Sequence, residues 1–163
     1  MNAKRARAEA PADPQEVDIG ILRDVVGFRI RRIQNHLSQN FAARVGRKDI
    51  KPGLFSTLAI ISANPGISQT ILAREIGFDK ATVVALVDSL EGFGWAVRER
   101  APNDRRRHAL QITKEGKLAL KNLLQIGLAN EAKIRAALTP QELKRLFELL
   151  DKLYATCFAA EQL

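Results

Sequence analysis

The sequence, 163 residues long, predicts a mainly α-helical fold that carries one small β-hairpin and has long amphipathic helices at both ends. Three observations predict it. Apolar residues recur every three or four positions near both ends of the chain. Between these stretches lie short helical segments, two of them joined by the tight turn Gly77-Phe78. A hairpin pattern then follows, with five arginines (98, 100, 105, 106 and 107) against only Glu99 and Asp104.

The elements follow in order. Ile19, Leu22, Val26, Ile30, Ile33, Leu37 and Phe41 fall on one stripe, so a single long helix is expected, ending around Val45-Gly46. Lys51-Pro52-Gly53 opens a second helix, Leu54 to Ala63, with Pro52 near its first turn, and Asn64-Pro65-Gly66 stops it. Ser68 can cap a short helix, Gln69 to Ile76, ended by Gly77, which takes the left-handed conformation cheaply. Asp79 can cap the next, Lys80 to Glu91, closed by Gly92 and Gly94.

Val97 to Arg100 is extended in character, Ala101-Pro102-Asn103-Asp104 has turn chemistry, and His108 to Thr113 alternates with Leu110 and Ile112 on one face. Thr113 then caps a helix running to about Leu138. Thr139-Pro140-Gln141-Glu142 is a capping box with proline at the first helical position. The last helix aligns Leu143, Leu146, Leu150, Leu153 and Cys157, with the cysteine read as a packing residue.

Helix, helix, tight turn, helix and hairpin over residues 52–113 read as a winged helix-turn-helix. The turn lets the Lys80–Glu91 helix cross its predecessor steeply and project its amino-terminal end, as a reader of the DNA major groove must. Val83, Val84, Leu86, Val87 and Leu90 are expected to hold it to the core, leaving Asp79, Lys80, Ala81, Thr82 and Ala85 outward. Thr82 can meet a base edge or a thymine methyl, and Lys80 a phosphate or guanine. Ser68, Gln69 and Thr70, at the start of the preceding helix, suit a phosphate, although Ser68 and Asp79 also serve as caps. Cations at a hairpin tip repel one another, and they make sense as a probe for a dense line of phosphates. Arg105 and Arg106 are the leading wing contacts, with Arg98, Arg100 and Arg107 beside them and Asp104 orienting Arg106.

Bulk properties agree. The formal charge of +8 favours a polyanionic partner. No apolar stretch is long enough to cross a membrane. Residues 1–17 are Ala/Pro/Glu-rich without the apolar run of a signal peptide, so a leader without stable structure and a cytoplasmic protein are expected. One cysteine excludes an intramolecular disulfide framework, and His36 and His108 stand too far apart in sequence to argue for a metal site. No cofactor, metal or catalytic arrangement is expected, and an enzyme is not the reading.

The stretch Asp79-Lys80-Ala81-Thr82-Val83-Val84-Ala85-Leu86-Val87-Asp88-Ser89-Leu90-Glu91 is followed by Gly94 and Val97-Arg98-Glu99-Arg100. Asp104-Arg105-Arg106 and Leu110-Gln111-Ile112-Thr113-Lys114-Glu115-Gly116 come next. On these motifs, and in length and helix order over about residues 18 to 160, the chain resembles the MarR family of transcriptional regulators; Ile112 stands where leucine is usual. The resemblance implies a homodimer with intertwined first, fifth and sixth helices, two winged lobes reading a palindromic operator in double-stranded DNA, and an effector pocket between dimer helices and lobe.

The expected divisions are the leader 1–17, a first dimerisation helix 18–50, the DNA-binding lobe 51–113 and dimerisation helices 114–163. Ile19, Leu22, Leu143, Leu146, Leu150 and Leu153 are the expected interface residues. The resemblance also implies a repressor released by a small effector, and the cationic surface suits an anionic one, aromatic or a coenzyme A thioester. Arg23, Phe28, Arg32 and His36 are its candidate contacts, with packing or solvent exposure as the alternative for His36 and the arginines. A winged-helix module for protein assembly or nonspecific nucleic-acid binding, without ligand response, is the rival reading.

Overall fold

The computed structural model describes residues 17–46, 49–51, 53–101 and 104–158, with side chains outside 100–108 and 158. The expected leader (Val17 apart), Pro52, Pro102 and Asn103 lie outside the described residues. The described residues fall into two compact units that divide between Asn35 and His36.

The continuous first helix expected from the apolar stripe is divided. A 3-10 turn, Gly20–Asp24, precedes α1, Val26–Val45, and Val25 between them is extended. Local hydrogen bonds account for the break. The Asp18 carboxylate accepts from the Gly20 amide at 2.9 Å and pairs with Arg23 at 3.0 Å. The Arg23 carbonyl, which in a continuous helix would accept from the Gly27 amide, instead accepts from the Arg29 guanidinium at 2.8 Å. Periodicity sees the apolar stripe but not this competition for one carbonyl.

Beyond α1 come α2 (Leu54–Ala63), β1 (Ile67–Ser68), α3 (Gln69–Ile76), α4 (Lys80–Gly92), β2 (Ala96–Ala101), β3 (Asp104–Ile112), α5 (Lys114–Ala136) and α6 (Pro140–Phe158). The caps at Ser68, Gly77, Asp79 and Thr113 are those expected, whereas α4 runs through Gly92 and is capped by Phe93. Ser68 Oγ accepts from the Ile71 amide at 3.3 Å, and Gly77 closes α3 at φ +73°, where a Cβ would be strained. Thr139 and Glu142 satisfy each other's amides at 2.9 and 3.3 Å, completing the capping box.

The antiparallel sheet has the order β1-β3-β2, and β1 lies outside the sequence expectation because two residues carry no period. Ile67 pairs with Leu110, which seats the start of α3 against the hairpin. The strands run longer than expected, to Ala101 and Asp104. Arg100 faces His108 while Ala101 faces Asp104, so residues 105–107 occupy an irregularity with no counterpart on β2.

Leu54, Leu58 and Ile61 of α2, Leu72 of α3, Leu110 of β3 and Leu123 of α5 meet Val83, Leu86, Val87 and Leu90 of α4 in one buried core. Val84, expected there, is 43% exposed. The buried stripe runs 83, 86/87, 90, and Val84 lies about 100° round the helix from Val83. Packing decides where α4 sits: four buried side chains at about 1.5–3 kcal/mol each outweigh a cap worth about 1 kcal/mol.

Asn130 of α5 donates to the Leu37 carbonyl of α1 at 2.9 Å, and Phe41 meets Phe55 with centroids 5.9 Å apart. On α6, Leu143 and Leu146 are half-buried, whereas Leu150, Leu153 and Cys157 are exposed in the single chain. Cys157, expected to pack, is therefore exposed in the single chain, at the end of a stripe whose burial fades beyond Leu146.

The junction between hairpin and α5 is the tightest place in the fold. Thr113 caps α5 through the Gly116 amide at 2.9 Å and donates its hydroxyl to the Gly94 carbonyl at 2.6 Å. A Cβ at Gly116 would lie 1.9 Å from the Trp95 carbonyl oxygen. Gly116→Ala should therefore destabilise the chain by about 1–3 kcal/mol, the usual cost of overpacking. Gly92→Ala, with nothing within 4 Å of the new methyl, should be neutral or stabilising by up to about 1 kcal/mol. Chemical denaturation of both variants checks the contrast, and equal stabilities would refute the close packing.

Candidate nucleic-acid interface

The outward side of α4 is built by its own periodicity. With Val83, Leu86, Val87 and Leu90 buried, Lys80, Ala81, Val84, Ala85 and Asp88 are exposed and Thr82 half-buried. The first turn is held by a two-way capping arrangement. Asp79 Oδ1 accepts from the Thr82 amide at 2.9 Å, and Thr82 Oγ1 donates to Asp79 Oδ2 at 2.6 Å. The Thr82 hydroxyl, and then its amide, hold the Asp79 carboxyl below the ordinary carboxylate value, so the cap stays ionised near neutral pH.

At the start of α3, Ser68 is half-buried and Thr70 exposed. Gln69 departs from its expected role. Its side-chain nitrogen is buried and without a hydrogen-bond partner, rather than presented to solvent as a phosphate donor would be. What Gln69 offers at the surface of this helix start is its backbone amide.

Arg98 also departs from expectation. Its side chain is only 19% exposed and turns back onto α4, meeting Asp88 at 2.7 Å and pairing with Glu91. Glu91 additionally accepts the Arg98 backbone amide at 2.8 Å, so one carboxylate holds both the edge of β2 and the arginine on it. Asp88 and Glu91, three apart on one side of a helix that precedes an arginine-bearing strand, were the legible signal for this pairing. The side chains of Arg100, Asp104, Arg105, Arg106 and Arg107 lie outside the described residues. Their backbone places 105–107 on the irregular part of β3, at the end of the hairpin remote from Ala96 and Ile112.

The residues expected to meet an effector fall in both units. In the first, Arg23 is paired with Asp18, and the Arg32 guanidinium lies 5.9 Å from the Phe28 ring centre. In the second, His36 Nε2 and Asn40 Nδ2 are 2.9 Å apart. Among the described residues, no group of His, Cys, Asp and Glu could hold a metal ion, and no helix is long and apolar enough to cross a membrane.

Comparison with known proteins agrees with this geometry. The model of the MarR family matches residues 50–108, which span α2 to the wing. The chain is 34% identical over 146 residues to the proposed transcriptional regulatory protein for the hcr operon of Thauera aromatica, covering 89% of this chain and 88% of that one. The transcriptional repressor CouR bound to a 23-mer DNA duplex superposes with a TM-score of 0.75 at 31% identity, covering 85% of this chain and 99% of CouR. CouR bound to p-coumaroyl-CoA superposes with a TM-score of 0.72 at 29% identity, over 85% and 98% of the two chains. The chain belongs to the MarR family of winged-helix transcriptional regulators, DNA-binding proteins rather than enzymes.

Proposed function

We propose that this regulator is a cytoplasmic, dimeric repressor that binds a palindromic operator and is released by a small anionic ligand, an aromatic acid or its coenzyme A thioester. The observation that carries it is the joining of an exposed, capped α4 to an arginine-bearing hairpin through Arg98 and Glu91. One lobe, residues 51–113, can thereby address a major groove and the neighbouring backbone together. Lys80, Ala81 and Thr82 face bases. Ser68, the Gln69 amide and Thr70 face phosphates. Arg105 and Arg106, with Arg100 and Arg107, reach the adjacent minor groove or its phosphates, and Asp104 orients Arg106. Arg98 is left out of the contact set because its charge is already met by Asp88 and Glu91.

Dimerisation is supported by apolar residues that stay exposed in the single chain, among them Ile21, Leu22, Phe147, Leu150, Leu153 and Tyr154. Such surface favours association, and a two-fold pair is the commonest form of it. Repression and ligand release are supported by the likeness to CouR, a repressor bound in separate structures to DNA and to p-coumaroyl-CoA.

Binding to a specific duplex and to a scrambled one, at several salt concentrations, tests the DNA reading. Arg106→Ala should weaken binding and reduce the salt slope by about 0.9, one phosphate's worth. Arg98→Ala should weaken binding through the lobe's geometry and leave the slope unchanged. Equal affinity for specific and scrambled duplexes would favour the nonspecific module instead, and a slope lowered by Arg98→Ala would return that residue to the contacts.

Thermal shift with p-coumarate and p-coumaroyl-CoA tests the ligand class. A bound ligand at a hundred-fold excess over Kd should stabilise the native state by about 2.7 kcal/mol and should lower operator affinity, since it must favour the DNA-incompetent arrangement. A ligand that binds and leaves operator affinity unchanged at saturation would contradict release.

A further inference from the structure

The reading surface of α4 has little hydrogen-bonding capacity to offer. Three of its side chains carry a donor: Lys80, Thr82 and Ser89. Two of these donors are committed inside the protein. Thr82 Oγ1 donates to Asp79 at 2.6 Å, and Ser89 Oγ donates to the Ala85 carbonyl at 2.8 Å. The Asp88 carboxylate is engaged by Arg98 at 2.7 Å. Apart from Lys80, what remains outward is apolar. Ala81 and Ala85 form its centre line, one turn apart; Val84, 43% exposed, flanks it toward β2, and Thr82 flanks it on the other side.

In the major groove, only thymine presents a methyl group, and only adenine and cytosine present amino donors; guanine offers two acceptors. A Thr82 whose proton is held by Asp79 can accept from an amino group and show its methyl, but cannot donate to guanine or to the thymine carbonyl. The Thr82 hydroxyl and amide in turn hold the Asp79 carboxyl below the ordinary carboxylate value, so it stays an ionised acceptor for that proton near neutral pH. Small alanines let the helix backbone come close enough for methyl contact.

We propose that α4 reads thymine methyl groups with the strip Ala81, Val84 and Ala85, and that Thr82 acts beside it as a hydrogen-bond acceptor for adenine or cytosine, guanine contact being left to Lys80. The proposal rests on the reading of α4 as the major-groove helix. It goes further by naming which base features that helix takes, and it makes Thr82 an acceptor rather than a donor.

The test uses the full-length protein and a duplex enriched by it from a randomised pool, with each thymine replaced in turn by deoxyuridine, which removes the methyl alone. At one or more positions in each half-site, the replacement should weaken binding roughly four-fold, the worth of one buried methyl-sized group. That penalty should shrink in Val84→Ala, which removes apolar surface from the strip, or in Thr82→Ser, which removes the methyl group beside it. Thr82→Val, which keeps the shape and loses the acceptor, should relax the preference for an amino-bearing base at one position and retain the deoxyuridine penalty elsewhere. A specific duplex indifferent to deoxyuridine at every thymine overturns the proposal. So does a penalty that persists in full in Val84→Ala, Thr82→Ser, Ala81→Gly and Ala85→Gly alike, because the methyl is then read by another element. Failure to enrich any sequence from the pool overturns the underlying DNA reading as well, which separates the two failures.

Discussion

Arg98 ties the strand that leads into the wing to α4, the helix proposed to face the bases, and the geometry of the proposed interface hangs on that tie. Glu91 accepts from both the backbone amide and the guanidinium of Arg98, while Asp88 takes the guanidinium's other end. An ion pair in full solvent contributes little. Here the arginine is largely enclosed, and a carboxylate that also caps a strand edge has its position fixed by two independent bonds. The pairing meets the charge of one cation within the protein, and it ties α4 to the strand that leads to the arginine-rich end of the hairpin. Without that tie, contacts in two grooves would each carry their own ordering cost.

A second constraint works from the opposite side. The Trp95 carbonyl accepts from the Thr113 amide at 3.0 Å and sits against Gly116, while Thr113 reaches Gly94. Both strands of the hairpin are thus anchored at their base, one to α4 and the other to α5. Only the far end, where residues 105–107 lack a counterpart on β2, is released from the ladder. That is where the arginines are concentrated. A rigid base with an irregular cationic end suits a probe that must settle into a groove whose width varies with sequence.

Much of this was legible before any coordinates. The core stripe of α4, Val84 apart, follows from helical periodicity, and the caps at Ser68, Asp79 and Thr113 and the capping box at Thr139 follow from local chemistry, because the hydrogen bonds involved span three residues. Four features were not. The break at Val25 arises because the Arg29 side chain takes a backbone carbonyl from the helix. β1 is stabilised by its partner strand, not by its own two residues. Arg98 looked like its neighbours in charge and position, and only the fold reveals that alternation turns it toward α4, on the same side as the buried Ala96. The direction of the Thr82 proton was also invisible, since a sequence lists donors without saying which are already taken.

The most direct test of the tie is dimethyl sulfate interference on the enriched duplex, which reports guanine N7 in the major groove and adenine N3 in the minor. The wild-type protein should show interference in both grooves of each half-site. Glu91→Ala, made far from the DNA surface, should keep the major-groove pattern that α4 generates, lose the minor-groove pattern of the wing, and bind more weakly overall. Full retention of both patterns at wild-type affinity would contradict the account.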